Sequence, residues 1–263
     1  MRTLVALATA IAILAAGPAS AAEDDEGAWT LRAAADGARL RLQLQWGDGS
    51  TWNRVLEESA FTGLAGASAG AAPGGFRIEE DAGTFAFTGA YRDGRGGGRF
   101  RFHPRREFGA TLRALGIEGA ARVSDRDLMN LAFGGLSTAD IQAFRALGVP
   151  VRTMREVMNL AVQQVSPEYV RALQESGATG ANTVEAVVAA RMFGVTPELV
   201  RTLATVGIRG LPLAEYVDLR RSGVSAAFVR EVRAAGHTRA TPDELIELRR
   251  AARARRAAPG RGG

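Results

Sequence analysis

A thirteen-residue phrase recurs in the second half of the chain, as VSPEYVRALQESG from Val165 and as VTPELVRTLATVG from Val195. Two looser copies flank it, GLSTADIQAFRALG and VSAAFVREVRAAG, so that Gly148, Gly177, Gly207 and Gly236 close the four at spacings of 29, 30 and 29 residues. REFGATLRALG, closing on Gly116, is a fifth and weaker copy. A regular period near 30 restricts the fold sharply. Each unit is then one supersecondary element, too small to bury its own apolar stripe, and successive units have to stack.

The physics of one unit is legible in VSPEYV. Ser166 is placed to cap the first free amides, Pro167 suits the first helical position because its missing N–H costs nothing there, and Glu168 meets the positive helix end. Val165 and Val170 stand at the two positions of a hydrophobic staple, as do Leu136 with Ile141, Val195 with Val200 and Val224 with Val229. Leu173 continues the same face, and Gly177 ends the helix in a left-handed cap. A second helix follows. Ser124 with Asp127, Thr153 with Glu156, Asn182 with Glu185 and Thr241 with Glu244 each set a polar cap three residues before an acid. LMNLAFGG and VMNLAVQQ, beginning at Leu128 and Val157, are nearly the same words and fix the register.

Before Pro104 the period is two. Leu40, Leu42, Leu44 and Trp46 alternate in ARLRLQLQWGDG, a half-buried strand running into a turn. Phe76 and Ile78, Phe85 and Phe87, and Phe100 and Phe102 repeat the alternation, with turn residues at Asp81 to Gly83 and Asp93 to Gly98 between them. The expected fold class is α+β. A small antiparallel β domain over 22–103, with LAGASAGAAPGG as a loop, precedes about five stacked helix-turn-helix units over 104–250. A basic disordered tail is expected over 251–263.

The chain opens with MRTLVALATAIAILAAGPASAAEDDEG: a basic start at Arg2, an apolar run from Leu4 to Ala16, a Gly17-Pro18 break and a small-residue site ending at Ala21. That is the layout of a secretory signal peptide over 1–21, and the run is well short of the roughly 20 residues that span a bilayer. The expected location is periplasmic or secreted. Without cysteine there are no disulfides and no lipoprotein acylation. All 33 basic residues are arginine and the net charge is +5, which reads as a compositional bias. Residues 23–103 hold 9 Arg against 12 acids, residues 104–250 hold 19 Arg against 16, and the tail adds 4 Arg. No aromatic is interleaved with that tail, so nucleic acid is not the expected partner.

Residues that could carry chemistry are few. His103 and His237 lie in different parts of the chain with no cysteine beside them, so no metal site is expected. GASAG matches the G-x-S-x-G pattern around Ser68, but its flanks are Ala/Gly loop where a nucleophile elbow needs a strand and a helix. Glu79, Glu80 and Asp81 are adjacent carboxylates whose neighbours on a strand point to opposite faces, which favours a solvated edge. No catalytic residue and no cofactor are expected.

With its units written out, the second half resembles the helical repeats of type V-[ST]-P-x-[YF]-V-x-x-[LM]-x-x-x-G found in secreted bacterial proteins and appended to some BlaR1-like metallopeptidases. DAGTFAFTGAYRDGRGGGRFRFHP is similar to the Gly-rich β segment that accompanies them. The resemblance implies an extracytoplasmic sensory or interaction module. Proteolysis does not carry over, because this sequence has neither the zinc-binding helix nor the membrane spans of the peptidases.

The leading expectation is therefore a non-enzymatic module that binds an envelope protein or polymer. Arg171, Arg201 and Arg230 share one place in the motif and, with Tyr169, are the candidate partner-binding residues. One alternative is a hydrolase or carbohydrate-active enzyme using carboxylates such as Glu79 or Asp81. The other is an anionic-polymer or nucleic-acid binder working through the Arg-rich C-terminal region.

Overall fold

The computed structural model describes residues 25–35, 37–64 and 75–257. The signal-peptide reading, Ser68 and most of the Ala/Gly loop lie outside the described residues. Six strands, β1 (Glu26–Ala33), β2 (Arg39–Trp46), β3 (Thr51–Glu57), β4 (Phe76–Glu80), β5 (Gly83–Arg92) and β6 (Arg95–Pro104), form one antiparallel sheet in the order β3-β2-β1-β6-β5-β4. Alternation does the sorting. In β2, Leu40, Leu42, Leu44 and Trp46 are buried while Arg39, Arg41, Gln43 and Gln45 are exposed.

The aromatic residues meet on the inner face. Phe76 stacks on Phe87 with ring centroids 4.7 Å apart, Trp29 meets Phe76 edge-on at 4.9 Å, and Trp46 meets Phe100 at 5.2 Å; offset and edge-on contacts of this kind add to area burial. The run Gly96-Gly97-Gly98 makes room for them. Trp29 sits opposite Gly98 in register and its indole N–H donates to the Thr88 carbonyl at 3.0 Å. A Cβ at Gly96 would come within 3.0 Å of the Trp29 ring and one at Gly98 would collide with the Thr88 carbonyl. Those glycines belong to β6, which corrects the reading of Asp93 to Gly98 as one turn. Only Asp93 (φ 51) and Gly94 (φ 76) turn the hairpin.

Strand β3 is absent from the alternation read in the sequence, because Arg54 stands at an inward position between Trp52 and Leu56. A charge there breaks the apolar signal.

Ten α-helices follow among the described residues: α1 (Glu107–Ala114), α2 (Asp125–Gly134), α3 (Thr138–Ala146), α4 (Met154–Val162), α5 (Pro167–Glu175), α6 (Val184–Met192), α7 (Pro197–Ala204), α8 (Leu213–Ser222), α9 (Ala226–Ala234) and α10 (Pro242–Ala257). The expected caps form. Ser124 with Asp127 and Thr153 with Glu156 make reciprocal capping boxes, Thr241 with Glu244 does the same, and Ser166 and Thr196 cap α5 and α7. At α6 the cap is Thr183, bonded to the Ala186 amide, rather than Asn182. Helix α10 runs to Ala257, through seven residues of the expected disordered tail, as suits a stretch made of the strong helix formers Ala and Arg.

Helices pack on their second neighbours. α2 lies on α4, α4 on α6, α6 on α8 and α8 on α10 in one row; α3 lies on α5 and α5 on α7 in the other. The buried side chains form a single cluster running from Trp29 in the sheet to Ile246 in α10. Phe133 of α2 makes the connection, its ring 5.1 Å from Trp52 and 6.2 Å from Phe85.

Candidate functional site

The sheet meets the helices through a set of polar contacts that surround Phe133. Arg54 on β3 reaches inward, its Nη1 donating to Glu80 Oε1 at 2.7 Å and to the Ala132 carbonyl at 3.2 Å. Ala132 lies in the last turn of α2, where its carbonyl accepts the Gly135 cap N–H and has a lone pair left for Arg54, and the dipole favours a cation. The guanidinium fits because Gly135 (φ 68) follows the helix; a Cβ there would collide with it. Both side chains of the pair are mostly buried, 16% and 19% exposed. Burial raises the Glu80 carboxyl above its ordinary value and the Arg54 charge opposes the rise.

Asp81 works at the next helix. Its Oδ2 accepts from the Thr138 amide and hydroxyl, both at 3.0 Å, at the start of α3. Glu79 faces outward and pairs with Arg77. The three adjacent carboxylates thus hold three separate jobs, and the solvated edge expected for them is realised by Glu79 alone. Glu80 and Asp81 are drawn in because α2 and α3 present a helix C-terminus and an N-terminus to the end of β4.

A cleft of about 240 Å³ opens beside this joint, lined by Trp52, Asn53, Asn130, Phe133, Val162 and Gln164 among others. Gln164, held at φ 49, donates its side-chain amide to the Asn53 carbonyl at 2.9 Å and closes one side. The lining offers amides and aromatic carbon but no titratable group. It lies below the roughly 300 Å³ at which small-molecule pockets begin, and is the size of a single side chain.

The candidate residues of the repeats fall into two groups. Arg171, Arg201 and Arg230 are exposed at the same position of α5, α7 and α9, and their side chains make no hydrogen bond or ion pair among the described residues. Tyr169 is not available in the same way. Its hydroxyl donates to the Val195 carbonyl at 2.6 Å, the Arg191 guanidinium lies 5.3 Å from its ring centre, and burial pushes its pKa up to about 12. It ties α5 to the turn before α7, a neighbour that the sequence of one unit cannot reveal.

A second set of arginines escaped the reading. Arg191 donates to the Gln163 carbonyl at the end of α4, Arg220 lies against Gly194 at the end of α6, and Arg249 and Arg253 lie against Gly223 at the end of α8. Arg191, Arg220 and Arg249 are 29 residues apart. Arg145 and Gln174, also 29 apart, donate to the Leu115 and Leu147 carbonyls at the ends of α1 and α3. Arg145, Gln174 and Arg191 thus donate to the C-terminal carbonyls of preceding helices, while Arg220 and Arg249 bring positive charge close to the ends of α6 and α8. Part of the arginine excess has this structural use, visible once second helices are aligned with one another.

His103 is exposed on β6 opposite Thr84, and His237 is exposed after α9. Among the described residues no group of three or more His, Cys, Asp or Glu could hold a metal ion, and no helix is long and apolar enough to cross a membrane. Fold and joint together define an α+β protein in which an antiparallel sheet closes one end of a two-row helical array. Comparisons with protein families, curated proteins and solved structures found nothing that matches this chain.

Proposed function

We propose that this chain is a non-enzymatic, extracytoplasmic interaction module, in which helical hairpins of period near 30 stack behind a sheet and present a repeated surface to an envelope protein or polymer. The observation that carries the reading is the contrast between two kinds of arginine. Arg191, Arg220 and Arg249 lie against helix ends or aromatic rings, whereas Arg171, Arg201 and Arg230 repeat at one place and their exposed side chains make no hydrogen bond or ion pair among the described residues. Repeated, unengaged cations on successive first helices suit an extended anionic partner. The apolar signature of the motif supports only the stacking. The layout of residues 1–21 supports export.

The hydrolase alternative loses its carboxylates to structural duties, since Glu79, Glu80 and Asp81 each have a separate partner. The C-terminal alternative keeps its arginines, yet Arg249 and Arg253 lie against the end of α8.

The test is charge reversal of all three residues, Arg171→Glu, Arg201→Glu and Arg230→Glu, followed by capture of crosslinked partners from the native envelope. The reading expects partners of the parent protein to fall at least tenfold in the variant at unchanged helicity. An unchanged set of captured partners would reject it.

A further inference from the structure

The outer face of the sheet carries a line of like charges that the helices do not explain. Arg41 on β2 lies directly opposite Arg32 on β1, Arg32 opposite Arg95 on β6, and Arg95 opposite Arg92 on β5. Residues in direct register share a face, and all four are exposed. With neighbouring strands about 4.8 Å apart, the four side chains form a row about 14 Å long across the sheet.

Three successive like-charge pairs in direct register oppose folding. Other arginines of the same face are relieved: Arg77 pairs with Glu79, and Arg99 and Arg101 share Glu26. The side chains of the four in the row make no hydrogen bond or ion pair among the described residues. An alternating charge pattern would keep this face wet without the repulsion. A bound polyanion removes it, and the planar guanidinium fork matches the oxygens of a phosphate group two at a time.

We propose that this row is a second binding site, which takes a linear phosphate polymer lying across the strands. The shape of the free charge selects the ligand. It is closer to a line than to a field, because Glu79 pairs with Arg77, Glu57 stands opposite Arg39 and Glu26 offsets part of the charge of Arg99 and Arg101, and this favours a chain over the plane of an anionic membrane. The outer-face neighbours on one side of the row are Gln43, Thr30, Gly97 and Ala90, which offer no ring on which a nucleic-acid base could stack. Recognition therefore runs through phosphate alone. The row lies at the end of β6 opposite Pro104, where the chain leaves for the helices, so it is separate from Arg171, Arg201 and Arg230.

The experiment is calorimetric titration of the full chain with inorganic polyphosphate, with orthophosphate, single-stranded DNA and phosphatidylglycerol vesicles as the comparison probes. Polyphosphate is expected to bind most tightly per phosphate, with an affinity that falls steeply with salt. Arg32→Ser with Arg95→Ser, the central pair, should weaken it at least tenfold and lower the salt slope by about 1.5 to 2. Arg99→Ser with Arg101→Ser should change it less than threefold, and the Arg171→Glu, Arg201→Glu, Arg230→Glu protein should bind as the parent does. That last arm keeps a failure of the helical reading apart from a failure of this one. The central-pair variant should melt no lower than the parent, because repulsion is relieved; if it melts lower, Arg32→Gln with Arg95→Gln is measured in its place. Undiminished binding by the central-pair protein, orthophosphate binding as tightly per phosphate, or tighter binding of DNA or vesicles each overturns the proposal.

Discussion

Gly135 and Gly148 both hold left-handed backbone, at φ 68 and 79, yet they differ in what surrounds them. A Cβ on Gly148 meets open space, while one on Gly135 collides with the Arg54 guanidinium. Gly148→Ala should therefore cost about 1 kcal/mol, the backbone penalty alone. Gly135→Ala should cost about 2–3 kcal/mol, since Arg54 must also leave the Ala132 carbonyl. Urea denaturation of both variants checks this, and equal costs would show that the guanidinium is not fixed there. Sequence alone identified Gly148 as a cap from its place in the repeat. It was silent on Gly135, whose particular neighbour comes from a strand some eighty residues earlier. Tyr169 shows the same limit: its motif position was legible, but the Val195 carbonyl that engages it opens the next unit and Arg191 comes from the second helix, α6.

At the scale of elements, helix starts were the most legible feature, because Ser124, Thr153 and Ser166 act on amides within three residues of themselves. Helix ends were less legible, since their donors arrive from a different unit or, for α2, from the sheet. The Arg54–Glu80 pair is the clearest such case. Burial raises the Glu80 carboxyl, so what it contributes to stability is fully present below its ordinary range and is lost as pH rises through the raised value. Arg54 offsets that loss. Arg54→Met should cost about 2–4 kcal/mol at about pH 7, where an unpaired carboxylate is left largely buried, and clearly less at about pH 4, where Glu80 takes up a proton. Guanidinium melts at the two pH values measure the difference, and a pH-independent cost would mean that the pair carries no charge coupling.

Across the whole molecule, the change of period at Pro104 revealed a sheet followed by helices but not how they are joined. Polar clamps at Arg54 and Asp81 and the ring of Phe133 make that joint, and inward-facing charge is what hid β3 from an apolar pattern. The buried cluster is continuous across it. A stack of helices with a free end exposes the apolar face of its terminal helix, and the sheet covers that face on α2 here. The sheet and the first helices should therefore unfold as one cooperative body. Hydrogen exchange across a denaturant series tests this most directly, by comparing amides of β2 (Leu40 to Trp46) with those of α2 and α4. One shared opening free energy and one denaturant slope are expected for both sets. Helices that open at markedly lower free energy than the strands, with a smaller slope, would contradict it.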